Sequence, residues 1–364
     1  MKVKDILTTL EAWAPPSYQE SYDNSGLLIG DPGTTFQKAL VTLDVTEAVL
    51  DEALSKGCNL IIAHHPLIFG GIKRLTGSHW VERCIIKAIK NNLVIYAIHT
   101  NLDNVHDGVN MKIAQKIGLE EVAILKPKSS TLTKLVTFVP TEATQVVLDG
   151  LYAAGMGEIG EYDHCSFQLA GTGTFRPSEK ANPTIGVKGQ DESVQENRIE
   201  GIFPTHLQSK IVAALHKSHP YEEVAYYVQP LLNTNQEVGS GAIGKLTTPM
   251  EPAQFIQSLK ERMDLNTVKC TAFVKDQIAT VAVCGGAGGF LLRDAQKKKA
   301  DIFITSDYKY HDFFEANGNI IIADIGHYES EIFTKELIAD RLSLQFPGSA
   351  FIPTEVVTNP VQYF

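Results

Sequence analysis

Two adjacent histidines end a strongly apolar segment in the first third of the chain. Residues 59–66 read NLIIAHHP, so His64 and His65 follow a predicted buried strand and precede a proline. Imidazole nitrogens are ligands for zinc, iron and similar cations. Because neighbouring strand residues point to opposite faces, the pair could bind two nearby ions if the chain turns there. The alternative is two polar residues at the exit of a strand.

A second strand exit offers a histidine and a carboxylate. His99 and Asp103 come directly after the apolar run LVIYAI. Asp103 can supply a carboxylate oxygen to a metal ion, and His99 can be a further ligand or can orient one. The simpler interpretation of Asp103 is a helix or turn cap. The nearby His106 and Asp107 are expected to be loop residues.

A third strand exit places an imidazole and a carboxylate four residues apart. The run NIIIAD precedes GHYESE, which contains His327 and Glu331. In a helix this spacing puts both side chains on one face, where they can bind the same ion. Glu329 is expected to point into solvent. The alternative is a first helical turn enriched in carboxylates, which the helix dipole favours.

Two further strand exits carry weaker signals. Residues 284–289 read CGGAGG, and glycines there suit either an anion at a helix N-terminus or close packing of a strand on a helix. In TSDYKYH, at residues 305–311, Asp307 and His311 could transfer protons or support metal ligands. Ser306 or Asp307 could instead cap a helix. The loop YDNSG at residues 22–26 is expected to border the same pocket or to form a simple turn.

The segments around these motifs predict an α/β layer in both outer thirds. Apolar strand-like runs alternate with helical patterns, including helices at residues 46–56 (capped near Asp44), 308–316 and 329–343. This alternation is typical of mainly parallel sheets covered on both faces. Because functional groups in such folds gather at the carboxyl ends of the strands, we expect the motifs to meet at one edge. Three histidines and two carboxylates satisfy two ions when one carboxylate bridges them.

The middle of the chain has a different pattern. From about residue 133 to 231, shorter strands and two helices follow a β-α-β-β-α-β order, which is typical of ferredoxin-like α+β domains. We therefore predict a discontinuous α/β domain, at residues 1–127 and 236–364, interrupted by an insertion at residues 128–235. The polar stretch 176–197 is predicted to be an exposed loop.

Composition limits the classes of function. The 364 residues are 44% hydrophobic and 20% charged, with a formal net charge of −10, which disfavours a nucleic-acid binder because such proteins need a basic face. No apolar run is long enough for a membrane helix. The five cysteines are odd in number and lack metal-knuckle spacing, so free thiols are expected. With no evident signal peptide, a cytoplasmic protein is predicted.

Taken together, IIAHHP, HTNLD, the glycine-rich exit, TSDYKYH and GHYESE resemble, in order, the GTP cyclohydrolase 1 type 2 homologue family, also described as NGG-interacting-factor-like proteins. The resemblance covers both outer thirds, including DNSGL. It implies an α/β fold and a dinuclear metal centre, with Glu331 bridging. The positions that match its ligands are His64, His65, Asp103, His327 and Glu331. It also implies a homohexamer, and the middle segment resembles the PII- and CutA-like insertion of longer bacterial members.

Two functions follow as hypotheses. The first is a metal-dependent hydrolase that uses two divalent ions (zinc, iron or manganese) on a nucleotide or related small molecule. In it, His99, Asp307 or His311 would move protons, and a GTP substrate would be attacked at a carbon of its imidazole ring. The second is a non-enzymatic oligomeric regulator or metal-handling scaffold, which the predicted insertion motivates.

Overall fold

The fold is mixed α/β, which confirms the predicted class. The structure is a computed structural model, described for residues 1–363. Residues 1–127 and those from Val238 onward form one compact unit, and Lys128–Glu237 forms a second. Among the described residues, no helix is both long and apolar enough to cross a membrane.

The helices and strands follow in chain order. The first stretch contains α1 (Val3–Trp13), β1 (Gly26–Ile29), β2 (Ala39–Thr42), α2 (Glu47–Ser55), β3 (Leu60–Ala63), α3 (Trp80–Lys90), β4 (Val94–Ala97), α4 (Thr100–Asp103), α5 (Val109–Ile117) and β5 (Leu119–Ser129). The middle stretch contains β6 (Leu132–Pro140), α6 (Thr144–Ala153), β7 (Phe167–Phe175), β8 (Glu192–Pro204), α7 (Gln208–Ser218) and β9 (Tyr226–Leu231). The last stretch contains β10 (Thr234–Met250), α8 (Pro252–Met263), β11 (Lys269–Cys270), β12 (Ile278–Val283), α9 (Leu292–Lys297), β13 (Ile302–Thr305), β14 (Ile321–Asp324), α10 (His327–Glu331), α11 (Thr334–Gln345) and β15 (Phe351–Pro353).

The first unit is built on two sheets. One has the strand order β1-β4-β3-β2-β15, in which only β1 is antiparallel to its neighbour. The other has the order β11-β14-β13-β12-β10-β5, with β12, β13 and β14 parallel. Strands β2, β3, β4, β13 and β14 are buried along their whole length. Continuous apolar strands of this kind require cover on both faces of the sheet.

One apolar core joins the two sheets of this unit. It takes Ile62 and Tyr96 from the first sheet and Ile304 from the second. The alternate residues Ile61 and Phe303 enter separate clusters on the outer faces. Burying one such side chain stabilises the fold by about 1.5–3 kcal/mol. The shared core therefore fixes where the exits of β3, β4 and β14 lie.

The second unit is a four-stranded antiparallel sheet with two helices. Its strand order is β7-β8-β6-β9. Helices α6 and α7 bury Leu151 and Leu215 against Val139 and Phe203 of the sheet. The elements follow the order β-α-β-β-α-β. The likeness of this unit to PII and CutA domains stays a prediction.

Several predicted helices and loops differ from the structure. The helix predicted at 329–343 is two helices, α10 and α11, because the hydrogen-bond ladder is interrupted between Glu331 and Thr334. The N-terminus of α2 is capped by the Thr46 hydroxyl, which accepts a hydrogen bond from Val49, and not by Asp44. The predicted loop at 176–197 ends earlier, because β8 begins at Glu192.

Candidate metal centre

Three strand exits of the first unit bring the predicted ligands together. His64 and His65 follow β3, Asp103 ends α4 just after β4, and His327 and Glu331 begin and end α10. Their ligand atoms form overlapping groups whose members lie within 4.8 Å of one another: His64 with His65 and His99, His65 with His327 and Glu331, and His64 with Asp103 and Glu331. Side chains from both outer thirds of the chain therefore share one site.

Glu331 lies at the middle of this cluster and is only 3% exposed. Its Oε2 atom is 3.0 Å from Nε2 of His65 and 3.1 Å from Nε2 of His327. Its Oε1 atom faces the other side, 3.9 Å from Nε2 of His64. Asp103 Oδ1 lies on that same side, 3.6 Å from the same nitrogen. The carboxylate thus has one oxygen in each half of the cluster, as a bridging ligand requires.

Each imidazole of the cluster is held from behind through its Nδ1 atom. The acceptors are the Ile98 carbonyl for His64 (2.9 Å), Asp44 for His65 (2.8 Å), Asp307 for His327 (2.7 Å) and Asp23 for His99 (2.8 Å). Carbonyl oxygens and carboxylates only accept hydrogen bonds, so Nδ1 must donate in every case. In the neutral ring the proton is then on Nδ1, and Nε2 presents a lone pair to the cluster.

The donor set fits divalent cations. Nε2 of His64 and Oδ1 of Asp103 are buried and have no hydrogen-bond partner. Buried polar atoms are almost always bonded, so these two atoms need a partner, and a cation between them would be one. A cation between the lone pairs of His65 and His327 and the carboxylate of Glu331 would replace repulsion by coordination. Mixed imidazole and carboxylate ligands suit zinc, iron or manganese.

The electrostatics of the cluster favour positive charge. Burial opposes protonation of His65 and His327, but hydrogen bonds to carboxylates raise their pKa values to about 10 and about 9. Burial and then the nearby charge of Glu331 raise the pKa of Asp103 to about 7. Burial would also raise the pKa of Glu331, but hydrogen bonds from His327 and His65 hold it well below its usual value. The carboxylates therefore create a negative potential that a cation can neutralise.

The glycine turn after β12 gives Glu331 room. A Cβ atom on Gly286 would lie 2.5 Å from Oε1 of Glu331, and the φ of this glycine is +60°. Three backbone N–H groups of the turn already have hydrogen-bond acceptors, so they are not available to an anion. Those of Gly285, Gly286 and Gly288 donate to Asn110, Ser330 and Thr305, respectively. Of the two interpretations of CGGAGG, close packing is therefore the one that these contacts favour.

Other predicted residues take different places. Asp307 adopts a left-handed conformation, with φ 60°, and accepts a hydrogen bond from Nδ1 of His327, so it orients this imidazole. His311 is exposed, packs against Tyr310 and Phe314, and does not line the cavity at the cluster. It is placed there because the chain turns at Asp307 and forms only a short 3-10 helix, at 312–316, instead of the predicted helix 308–316. Glu329 is half-buried and accepts a hydrogen bond from Asn359.

Sequence reasoning missed two carboxylates that hold histidines. Asp44 binds Nδ1 of His65, yet it was interpreted only as a helix cap. It follows the buried strand β2, so it lies at a strand exit like the other candidate residues and could have been predicted in the same way. Asp23, in the loop at residues 22–26, binds His99 and has no exposed side-chain surface. That loop was expected to border the pocket, but nothing in its sequence singled out Asp23.

The cluster opens into a cavity of about 1340 Å³. Its aromatic lining residues are Tyr22, Phe69, Trp80, Phe290, Tyr328 and Tyr363. Lys73 and Arg74 line it as exposed basic groups. Small-molecule sites are commonly apolar cavities with a few placed polar groups. The space and its chemistry suit a small molecule with an aromatic part and a negative charge.

Comparison with known proteins identifies relatives along the whole chain. A model of the family described as Duf34/NIF3 (NGG1p interacting factor 3) matches residues 1–360. The GTP cyclohydrolase 1 type 2 homolog of Halalkalibacterium halodurans is 40% identical over 358 residues, covering 98% of this chain and 96% of the relative. That of Bacillus subtilis is 37% identical over 366 residues, covering 99% and 98%. The crystal structure of a Bacillus cereus protein related to NIF3 is 36% identical, with a TM-score of 0.89, and the match covers 100% of this chain and 99% of that one.

Proposed function

Because this chain belongs to the Duf34/NIF3 family and its histidine–carboxylate cluster fits divalent cations, we propose that it is a dinuclear metal-dependent hydrolase. His64, His65, Asp103, His327 and Glu331 would hold the ions, and Glu331 would contribute to both. The substrate is a nucleotide or a related small molecule. Ions held there would supply Lewis acidity to the hydrolysis.

One observation carries this proposal. Imidazoles from distant parts of the chain direct their Nε2 atoms at one buried carboxylate, Glu331, while a carboxylate or carbonyl accepts a hydrogen bond from each Nδ1. Metal-binding histidines characteristically donate their second N–H in this way, which fixes the tautomer and the ring orientation. Asp44 and Asp307 are therefore positioning residues for His65 and His327.

His99 is the proposed proton carrier. Its Nδ1 donates to Asp23, and although burial would raise the pKa of Asp23, hydrogen bonds from His99 and Thr100 hold it well below its usual value. Asp23 therefore stays charged and keeps the Nε2 of His99 free to accept a proton. The ring also contacts Phe69 edge-on, with centroids 5.8 Å apart, at the wall of the cavity. A general base in this position removes a proton from water or substrate.

The cavity favours a nucleotide among small molecules. An aromatic base can stack on its aromatic walls, and phosphate groups can pair with Lys73 and Arg74. The relatives from Halalkalibacterium halodurans and Bacillus subtilis carry the name GTP cyclohydrolase 1 type 2 homolog, which makes GTP the first substrate to test.

The test is turnover of GTP and a nucleotide panel by purified, metal-loaded protein. We expect a metal-dependent product from at least one nucleotide and its loss in Glu331→Gln. Lys73→Gln with Arg74→Gln should raise KM for that nucleotide more than it lowers kcat, since these residues would bind phosphate. Absence of metal-dependent product from every nucleotide would count against the hydrolase.

We also propose that the chain assembles as a homohexamer, as the family resemblance implies. Light scattering of the purified full chain should give the mass of six subunits. A monomer or dimer at micromolar concentration would contradict this assembly.

A further inference from the structure

The second unit contains a cavity of its own, with a volume of about 680 Å³. It is lined by residues of the paired strands β7 and β8, of the loop after β7 and of the segment that precedes β9. Its volume is within the usual range of small-molecule sites, about 300–1,000 Å³. Its lining residues all belong to the second unit and none belongs to the metal cluster.

Glu196 is a buried carboxylate in the wall of this cavity. The residue is only 8% exposed, and its Oε1 accepts a hydrogen bond from the Tyr221 hydroxyl at 3.0 Å. A Cβ atom on Gly173 would overlap its Oε2 atom, so the carboxylate lies against bare backbone. Burying a carboxylate is costly unless a cation or several donors compensate it. A single hydroxyl compensates Glu196 only in part.

The basic groups that line the cavity are engaged elsewhere. Arg176 makes two hydrogen bonds with Asp191, and Arg198 pairs with Glu200 at 2.7 Å. The acidic lining residues have no such counter-ions among the described ion pairs: Glu222 accepts only a backbone N–H, from Asn182. Three carboxylates and two arginines line the cavity, so its lining has a net negative charge, with Glu196 as the buried part.

Aromatic side chains form the rest of the wall. Phe138 and Tyr227 pack edge to face, with centroids 5.7 Å apart, and Phe175 packs against Tyr221 at 6.1 Å. Leu169, which is 56% exposed, adds apolar surface. Aromatic faces attract cations, and apolar walls bind the body of an organic ligand.

We propose that this cavity binds a small organic cation, a primary amine with an aromatic or apolar body, whose ammonium group pairs with Glu196. An ammonium supplies the hydrogen-bond donors and the charge that the buried carboxylate lacks. The walls formed by Phe138, Tyr227 and Phe175 take up the body. An anion of the same shape would meet Glu196 and is excluded.

Glycines in the wall allow a sharp test. Gly171 pairs with Glu196 across the β7–β8 ladder, so a side chain at 171 would point to the same face. A Cβ there meets no atom within 4 Å and needs no unusual φ, so Gly171→Leu should fill the cavity without disturbing the fold. Glu196→Gln keeps the shape of the side chain and an acceptor for Tyr221, but removes the charge.

The experiment measures binding of phenethylamine to the full-length protein by isothermal titration and ligand-observed NMR. Its neutral and anionic counterparts, 2-phenylethanol and phenylacetate, are compared with it. We expect saturable binding of the amine alone, weakened at least tenfold in Glu196→Gln and abolished in Gly171→Leu, each with an unchanged thermal melting profile. Glu142→Gln, the same change at an exposed carboxylate of this unit, should bind like the wild type.

Three results would overturn the proposal: no binding of the amine, equal binding of the alcohol, or wild-type affinity in Glu196→Gln. Equal weakening in Glu142→Gln would also overturn it, because the effect would then come from the general charge of the unit. If Gly171→Leu unfolds, Gly171→Val tests the same space with a smaller side chain.

Discussion

Nε2 of His65 and Nε2 of His327 lie 3.3 Å apart, although 262 residues separate them in the sequence. Both nitrogens face the same oxygen of Glu331. Because Asp44 and Asp307 bind the opposite nitrogens, neither ring can turn away without losing a charge-assisted hydrogen bond. Only a positive charge between them, a proton or a metal ion, makes this arrangement favourable.

The carboxylates behind the histidines should tune metal affinity. Asp44→Asn or Asp307→Asn keeps the shape of the side chain but weakens the hold on Nδ1 of the bound histidine. Loss of such a partner typically lowers metal affinity about 10- to 100-fold. Competition with a chromophoric chelator measures this change. Asp340→Asn, at an exposed position far along α11, is the control and should leave the affinity unchanged.

Gly286 should be sensitive to the smallest substitution. In Gly286→Ala the new methyl group meets Glu331, and alanine must adopt a left-handed conformation that costs about 1–3 kcal/mol. We expect lower stability in chemical denaturation together with lower metal content. Gly289→Ala is the matched control, because its Cβ would meet nothing closer than 3.6 Å. Equal effects of the two variants would refute the role given to Gly286.

Substitution of His99 should lower catalysis without lowering metal binding. If His99 carries a proton, His99→Gln lowers kcat about 10²- to 10⁴-fold, the usual contribution of general acid–base catalysis, and retains the metal. Metal analysis beside single-turnover kinetics on any nucleotide that is hydrolysed distinguishes the two roles. Loss of one ion in His99→Gln would instead make His99 a ligand.

Acid should destabilise the second unit through His219. Its Nε2 donates to the Phe138 carbonyl and its Nδ1 accepts from the Tyr221 amide, so the folded state holds the neutral ring. Burial lowers the pKa of His219 below its ordinary 6.5. Below pH 6.5 the unfolded chain therefore binds more protons than the folded chain. The stability that the neutral ring contributes is present above pH 6.5 and is lost as the pH falls through the pKa of the folded state.

Thermal unfolding of wild type and His219→Gln over this pH range measures that contribution. The wild-type melting temperature should fall more steeply on acidification than that of the variant. Parallel curves for the two proteins would show that His219 does not titrate on unfolding.

Much of the candidate site can be predicted from local patterns in the sequence. His64, His65 and Asp103 follow apolar runs, and parallel strands bring their carboxyl ends to one edge, so a shared site could be predicted. The spacing of His327 and Glu331 likewise placed both on one helical face. These inferences need only the strand and helix periods.

What the sequence did not reveal depends on contacts between distant segments. Asp44 looks like a helix cap until His65 is seen beside it, 21 residues later in the chain. His311 was misplaced because the direction of the chain after β13 is set by the left-handed conformation of Asp307, which no apolar period encodes. Glu329 is half-buried because Asn359 returns to it from a C-terminal segment 30 residues away.

Metal content per chain tests the central claim most directly. Purified wild type, His65→Ala, Glu331→Ala and the control Asp340→Asn are analysed by mass spectrometry of their bound elements after dialysis. The proposed dinuclear centre predicts about two divalent ions per chain in the wild type and the control, and a sharp fall in the other two. The same metal content in His65→Ala and Glu331→Ala as in the wild type would contradict it.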